Sequence, residues 1–358
     1  MTLLDRYIQV ATLKVLVLAC AGLTALFSLL ELVNQLHEVG KGRYRLVDAI
    51  AYVLLTAPGR LLQLMPVSML LATLFALGNL ASHNELTVMR ATGISVPRII
   101  GSVLKLAGPV LLVLFLAAQF VIPRAERLAQ VERTSRLAAS SAPLRTGNSF
   151  WVEGDHTYVN VRRFDHGNVP ADIHIYVFGS DGTLSTFIRA GTADVLPDGT
   201  WLLSDVLRRQ FNRPGSETEH LAALAWHSFL RPQQVPLLVL PPESLPPVGL
   251  YEYVRDLERR QQPAGSYAQE LWGKIDIPLA IAAMILIAVP LVLGPLRAHG
   301  AGQRVMIGAM VGVVFSLVQE TTSYLGQLLH LDPALAATAP SLIVIAAALW
   351  LLRRAALM

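Results

Sequence analysis

The sequence predicts an α-helical polytopic membrane protein with six transmembrane helices and an inserted extracytoplasmic β domain, a sandwich or jelly roll. Three observations predict it. Six apolar stretches reach the length that a helix needs to cross a bilayer core, about 20 residues. The stretch between the third and fourth changes to alternating polar and apolar residues, the pattern of half-buried strands. The composition is 53% hydrophobic and only 15% charged, with mean hydropathy +0.50, whereas soluble domains carry roughly 25% charged residues.

The first apolar run spans about Val15 to Val33 and contains the only cysteine, Cys20. A lone cysteine makes no intrachain disulfide, so an exported domain here folds without one. Ala19-Cys20 has the small residue of a lipoprotein signal, but Leu18 is bulky and the run continues past it, so the segment is expected to stay as an anchor. The second run ends near Leu80, and counted back to Leu46 it is too long for one straight crossing. Proline is accepted in a first helical turn and disfavoured inside a helix, so Pro58 is expected to divide it. An interfacial helix from Arg43 to Ala57 would precede a crossing from Pro58 to Leu80, kinked at Pro66. The third crossing is about Ile99 to Ile122, the fourth Ile275 to Leu293, the fifth Val305 to Leu325 and the sixth Ala336 to Leu352.

Between Leu144 and Leu240 the runs His156 to Val161 and Asp172 to Phe178 alternate as strands do. Turn signals at Asp165 to Asn168, Asp181-Gly182 and Asp198-Gly199 separate them at hairpin intervals, as in a sandwich or jelly roll. Pro241, Pro242, Pro246 and Pro247 form a stiff exit, and a charged helix, Tyr251 to Gln261, leads back to the membrane. The expected organisation is residues 1–122 for three helices, 123–268 for the β domain with flanking helices, and 269–358 for the last three helices.

Short loops rich in Lys and Arg favour the cytoplasm. Arg6, Lys14, Arg90, Arg98, Arg297, Arg304, Arg353 and Arg354 fall on one side if there are six crossings, so both termini are expected to be cytoplasmic and the β insert outside. The net charge of +4 belongs to these flanks, not to a nucleic-acid-binding face. The loop bearing Lys41, Arg43 and Arg45 breaks the rule, since it too must lie outside.

The sequence has no G-x-x-x-x-G-K-[ST], no H-E-x-x-H, no cysteine–histidine cluster at metal-ligand spacing and no G-x-S-x-G elbow. His37-Glu38 and His83-Asn84-Glu85 read as polar loop residues. The expectation is a chain with no catalytic residue, no metal and no cofactor of its own.

Two constellations remain. The segment Ser82 to Ser95 reads as a short helix in which Leu86, Met89 and Arg90 share a face and Gly93 closes the end. Such a helix can dock a soluble partner or lie on the membrane surface. The second is a set of cations near the outer ends of crossings: Lys41, Arg43, Arg45, Arg60 and Lys274. Charge near hydrocarbon is costly, and these cations either snorkel to headgroups or bind the phosphates of an anionic lipid. Glu320, near the outer end of the fifth crossing, can pair with one of them or line a cavity.

Leu4-Asp5-Arg6-Tyr7-Ile8, Asn84 to Ser95, and Glu270-Leu271-Trp272-Gly273-Lys274-Ile275 with its continuation to Gly294-Pro295-Leu296-Arg297 resemble the LptF/LptG family of lipopolysaccharide-export permeases over essentially the whole chain. The last segment looks closer to the LptG branch. The resemblance implies an inner-membrane subunit in a Gram-negative bacterium with a periplasmic β-jelly roll. It would pair with an LptF-like permease, two copies of an LptB-like ATPase that bind the ATP and Mg, and LptC, and it would hand lipopolysaccharide to LptA through a periplasmic bridge. Glu85, Leu86, Met89, Arg90 and Gly93 would form the coupling helix, with Glu85 and Arg90 as charged contacts to the ATPase. Phe27, Leu30, Phe315, Gln319 and Glu320 would line the lipid cavity. The chain departs from the family at the end of the first helix, where Glu31, His37 and Glu38 replace lysines, so the family's phosphate ligands do not carry over.

ATP-driven closure would squeeze the lipid upward to the β domain, whose inner face is expected to include Tyr158, Ile173, Ile175 and Val177. The rival readings are the paralogous LptF subunit, a mechanotransmitting permease that moves no lipid, and an intramembrane enzyme.

Overall fold

The computed structural model describes residues 3–138, 150–154, 157–165, 169–179, 182–196, 200–212, 215–227, 245–259, 264–293, 301–329 and 331–356. The chain divides into a helical unit (Met1–Ser140, Pro246–Glu258 and Pro263–Met358) and a β unit (Ser141–Leu245 with Arg259–Gln262). The helices that flank the strands, grouped with the β domain in the expected organisation, cluster here with the helical unit.

The helical unit contains α1 (Leu3–Leu36), α2 (Leu46–Ser82), α3 (Glu85–Ala91), α4 (Val96–Leu116), α5 (Ile122–Ala138), α6 (Pro247–Arg259), α7 (Gly265–Leu293), α8 (Ala301–Leu328) and α9 (Pro333–Ala356). Six helical stretches among them are long and apolar enough to cross a membrane: α1, α2, α4 with α5, α7, α8 and α9. Pro58 does not divide the second crossing as the sequence reading expected. α2 is one helix of 37 residues with Pro58 and Pro66 inside it. Proline removes one N–H from the ladder, a break that packed membrane helices tolerate, and in the same turn Arg60 and Thr56 both donate to the Val53 carbonyl, 3.3 Å each. Between α4 and α5 the helix widens into a single π turn, Ala117–Val121. Pro123 just beyond it supplies no N–H to the preceding turn, which accounts for the change. Gln119 in this π turn accepts the orphan backbone N–H of Val248 at the start of α6, 3.2 Å away.

Buried fractions show which helices lie inside. In the most apolar stretch of α2, 61% of residues are buried, and in α7 56%, against 11% in α1 and 17% in α8. Without a hydrophobic drive between helices in lipid, close packing of small residues and hydrogen bonds must hold such a bundle. α8 seats Gly308 against Leu74 and Leu71 of α2, and Gly312 against Val67. A Cβ at Gly312 would stand 2.5 Å from Val67 Cγ1. Arg304 is folded against Gly78 and is 4% exposed. Further along, Gly326 of α8 meets Ala336 of α9.

Polar links cross the same unit. Asp276 on α7 is fully buried, and its Oδ2 accepts from Ser341 Oγ of α9 at 2.7 Å and Gln319 Nε2 of α8 at 2.9 Å. Gln269 Nε2 donates to Ser323 Oγ at 2.8 Å, joining α7 to α8. Asp5 near the start of α1 accepts from Ser102 of α4 and lies 3.5 Å from Lys105 Nζ, while Gln9 donates to the Ser102 carbonyl.

In the β unit, six strands form one antiparallel sheet in sequence order: β1 (Phe150–Gly154), β2 (Thr157–Asp165), β3 (Val169–Phe178), β4 (Leu184–Val195), β5 (Thr200–Asn212) and β6 (Gly215–His227). The insert is thus antiparallel β, as expected, and its described strands run as a meander. One face is enclosed, with Val159, Val161, Ile173, Ile175, Ala190, Trp201 and Leu203 at 0% exposure. Tyr158 is not on that face. It pairs with Tyr176 while Val159 pairs with Ile175, and neighbours along a strand point to opposite sides.

The sheet also carries a crease. Asp172 and Asp205 adopt positive φ, +48° and +54°, and Gly191 lies between them on β4. Ladder pairing brackets this row, with Ala190↔Val206 on one side and Thr192↔Ser204 on the other. Past it the buried positions change parity, from Ile188 and Ala190 to Ala193, and from Trp201 and Leu203 to Val206. A Cβ on Gly191 would lie 3.1 Å from Asp205 Cβ, so the turned-in aspartate needs a glycine opposite. The turns at Asp165 to Asn168 and Asp198-Gly199, and Pro241-Pro242, lie wholly or partly outside the described residues.

Candidate functional site

The structure places the singled-out residues of the helical unit in three locations. The first is a pocket of about 350 Å³ lined by Phe27, Leu30, Glu31 and Asn34 of α1 and Arg60, Gln63 and Leu64 of α2. It combines exposed apolar surface, Phe27 at 44% and Leu30 at 53%, with one cation. Arg60 is 16% exposed and is held from both helices: on α1 Glu31 Oε1 lies 3.8 Å from its Nη2 and Ser28 Oγ accepts at 3.4 Å, and on α2 the Val53 carbonyl accepts at 3.3 Å. A bound anion would therefore have to displace or join a carboxylate. The sequence reading brought Phe27, Leu30 and Arg60 forward separately, and the fold assembles them.

The loop before α2 is the second location. Lys41, Arg43 and Arg45 are exposed there, with Lys41 paired to Glu38 at 3.1 Å. Gly40 and Gly42 take positive φ, and the Arg43 backbone N–H donates to the Arg136 carbonyl of α5 at 2.9 Å. This bond brings α5 to the same place. Arg136 sits 3.8 Å from Asp48, and the Arg133 guanidinium lies over the Tyr52 ring, 5.6 Å from its centroid. Sequence reasoning missed both arginines, because it ended the third crossing at Ile122. Tyr44 in this loop is 2% exposed, donates to Gln35, and has its hydroxyl pKa raised by burial.

Lys274 does not join these cations through any contact described. It is 12% exposed on α7 and pairs with Glu270 one turn earlier at 3.8 Å. Of the residues expected to line the lipid cavity, Phe27 and Leu30 line the α1–α2 pocket, and Phe315, Gln319 and Glu320 of α8 are not among its lining. Phe315 is 5% exposed in the helical core, Gln319 is bonded to Asp276, and Glu320 is exposed on α8. The three α8 residues follow the packing of α8 on α2 and α7, which turns Phe315 inward.

The third location is α3. Leu86 is buried in the helical core and Met89 packs against it, so the apolar stripe anchors the helix inward. Thr87, Val88, Arg90 and Ala91 face out. Gly93 at φ +90° closes the end, its N–H donating to the Arg90 carbonyl, and Asn84 enters it at φ +62°. Glu85 is half-buried, and its Oε2 accepts from Tyr7 Oη at 2.9 Å.

The family described as lipopolysaccharide export system permease LptF/LptG matches residues 6–354. The chain belongs to the LptF/LptG family. It is 31% identical to the lipopolysaccharide export system permease protein LptG of Escherichia coli (strain K12) over 98% of both chains. It is equally similar, 31% over 98% of both, to the protein of the same name from Haemophilus influenzae. With its six apolar helices, this LptF/LptG member is a multi-pass inner-membrane protein.

The LptF/LptG-like opening segment also gains a physical account. Asp5 and Tyr7, two residues apart near the start of α1, reach Ser102 of α4 and Glu85 of α3. Asp276 was missed altogether. Its signal, a single carboxylate inside an apolar run, was present between Ile275 and Ile277. The Gly294 to Arg297 segment lies outside the described residues, as does Arg297 among the expected inward-facing charges.

Proposed function

We propose that this chain is one permease half of a lipopolysaccharide exporter, the half most like LptG. It takes lipopolysaccharide from the outer leaflet of the inner membrane and passes it to a periplasmic bridge. The carrying observation is the α1–α2 pocket, where exposed Phe27 and Leu30 stand beside Arg60. That pairing of apolar wall and guanidinium suits an acylated, phosphorylated lipid, since arginine binds phosphate through forked, charge-assisted hydrogen bonds. The whole-length likeness to proteins named for lipopolysaccharide export supports the same reading.

On this reading both termini and α3 are cytoplasmic and the β unit is periplasmic. The loop cations Lys41, Arg43 and Arg45, with Lys274, meet headgroup phosphates. The sparsely buried faces of α1 and α8 are completed by an LptF-like permease and by LptC. Two LptB-like ATPases, which bind ATP and Mg, dock on α3 and its counterpart through the outward Arg90 and the rim residue Glu85. Raising acyl chains out of the bilayer costs about 0.8 kcal/mol per buried CH₂, so the partner's ATP hydrolysis supplies the work. The enclosed apolar face of the β unit shields the chains afterwards on their way to LptA.

The test is to express the chain with its candidate partners, purify through a tag on it, and identify bound protein and lipid by mass spectrometry. Recovery of a P-loop ATPase, a paralogous permease and lipopolysaccharide is expected. A stable chain carrying neither ATPase nor lipid would overturn the proposal. Recovery of the ATPase without lipid would favour a mechanotransmitting permease.

A further inference from the structure

α1 is a single uninterrupted helix of 34 residues, and its two ends contact different functional features. At one end Tyr7 Oη donates to Glu85 Oε2 of α3, 2.9 Å apart, and Asp5 and Gln9 bind α4 at Ser102. At the other, Phe27, Leu30, Glu31 and Asn34 form one wall of the pocket, and Glu31 holds Arg60. From Tyr7 to Phe27 is about 30 Å along the helix axis, the thickness of a hydrocarbon core. Between the two ends one face of α1 packs inward through Thr12, Leu16 and Cys20, so the helix moves as one body, while the opposite face is open, with Val17 at 62% and Leu18 at 74% exposure. A rigid element fixed at one end to a docking helix and at the other to a ligand pocket couples the two sites physically.

We propose that Tyr7 is a positioning residue that links the docking helix to α1, so that a displacement of α3 shifts the pocket wall. This rests on the export reading and specifies its path within this chain. α3 lies on the core through Leu86 and Met89, so its own movement is small. The hydrogen bond to Tyr7 converts that movement into a tilt or slide of α1. Displacing Glu31 with α1 then loosens or tightens its hold on Arg60. Tyr7 is 50% exposed and belongs to no core cluster, so removing its hydroxyl spares the fold.

The experiment compares wild type, Tyr7→Phe and Glu85→Gln, each assembled with the partner permease and ATPase in nanodiscs containing lipopolysaccharide. Three quantities are read: ATPase co-purification, lipopolysaccharide released per ATP hydrolysed, and the change in hydrogen exchange at residues 27–34 on trapping with ATP and vanadate. Tyr7→Phe is expected to keep the ATPase and its turnover within about two-fold, because Glu85 keeps its charge. Its release per ATP falls at least three-fold and the exchange change at 27–34 disappears. Glu85→Gln keeps an acceptor for Tyr7, so it weakens docking while release per ATP in the assembled fraction stays normal. Wild-type release per ATP in Tyr7→Phe, or loss of the ATPase from that variant, would overturn the linkage. A wild-type assembly that releases no lipopolysaccharide would instead sink the export reading, and the exchange change at 27–34 would still decide whether Tyr7 joins the two ends.

Discussion

Asp276 and Ser341 share a 2.7 Å hydrogen bond between α7 and α9, at positions where both side chains are fully buried. The same carboxylate oxygen takes Gln319 from α8, so one atom gathers three helices. Asp276→Ala leaves the buried Ser341 hydroxyl and the half-buried Gln319 amide without this acceptor. The expected cost is about 1–3 kcal/mol. Thermal unfolding of the detergent-solubilised chain checks this, and Ser341→Ala should lose less.

The α2–α8 seam responds to volume. Gly312→Leu places its first side-chain carbon 2.5 Å from Val67, and α8 must move away. Overpacking of this kind costs about 1–3 kcal/mol. Gly22→Ala is the control, with nothing within 4 Å of the added carbon. A Gly312→Leu variant that melts with Gly22→Ala would show that the seam is loose.

Docking of the ATPase should depend on Glu85. Glu85→Ala is expected to reduce the ATPase recovered with the complex several-fold while the permease pair stays folded and monodisperse. The helix itself persists, because Leu86 and Met89 hold α3 and Gly93 closes it. Quantitative pull-down at matched expression decides, and unchanged recovery would remove this role from Glu85.

The pocket's charge balance yields opposite effects from its two ionic residues. Arg60→Gln should lower retained lipopolysaccharide through purification. Glu31→Gln should raise it, since Arg60 then no longer answers to a carboxylate 3.8 Å away. Lipid phosphate per complex measures both, and a fall in both variants would mean that the pair acts only in packing.

Acid should loosen the β unit at His174. Burial pushes the imidazole pKa below its ordinary value, and Asp172, 3.4 Å away, only partly opposes the shift. The unfolded chain then binds a proton that the folded one refuses, so the stabilising preference is complete above the unfolded value of about 6.5 and fades as pH falls through it. Hydrogen-exchange protection across β3 and β4, taken relative to the intrinsic rate at each pH, should fall between pH 8 and 5, and His174→Gln should flatten that dependence.

The crossings were legible because length and apolarity are set residue by residue, and α1, α7, α8 and α9 contain the runs read from the sequence. Pro58 misled because the local cost of a proline is real, yet a long helix packed on its neighbours absorbs it, and α2 runs through both Pro58 and Pro66. Phe27, Leu30 and Arg60 could be chosen by type, but only packing of α1 on α2 shows that they share a pocket. Tyr158 was assigned to the wrong side because nothing in an isolated strand says which face is enclosed. The bond between Tyr7 and Glu85 joins residues 78 apart, a pairing that no local pattern encodes.

Cys20 is the only thiol in the chain, and it lies buried with its Sγ 3.9 Å from Met65 Sδ. A polar, membrane-impermeant maleimide has no native target here. Any cysteine introduced at Asn34 or Gln63 becomes a unique chemical address on the pocket rim. Spin labels or dyes placed there, in otherwise native protein, would register the distance between α1 and α2 through each cycle of nucleotide turnover.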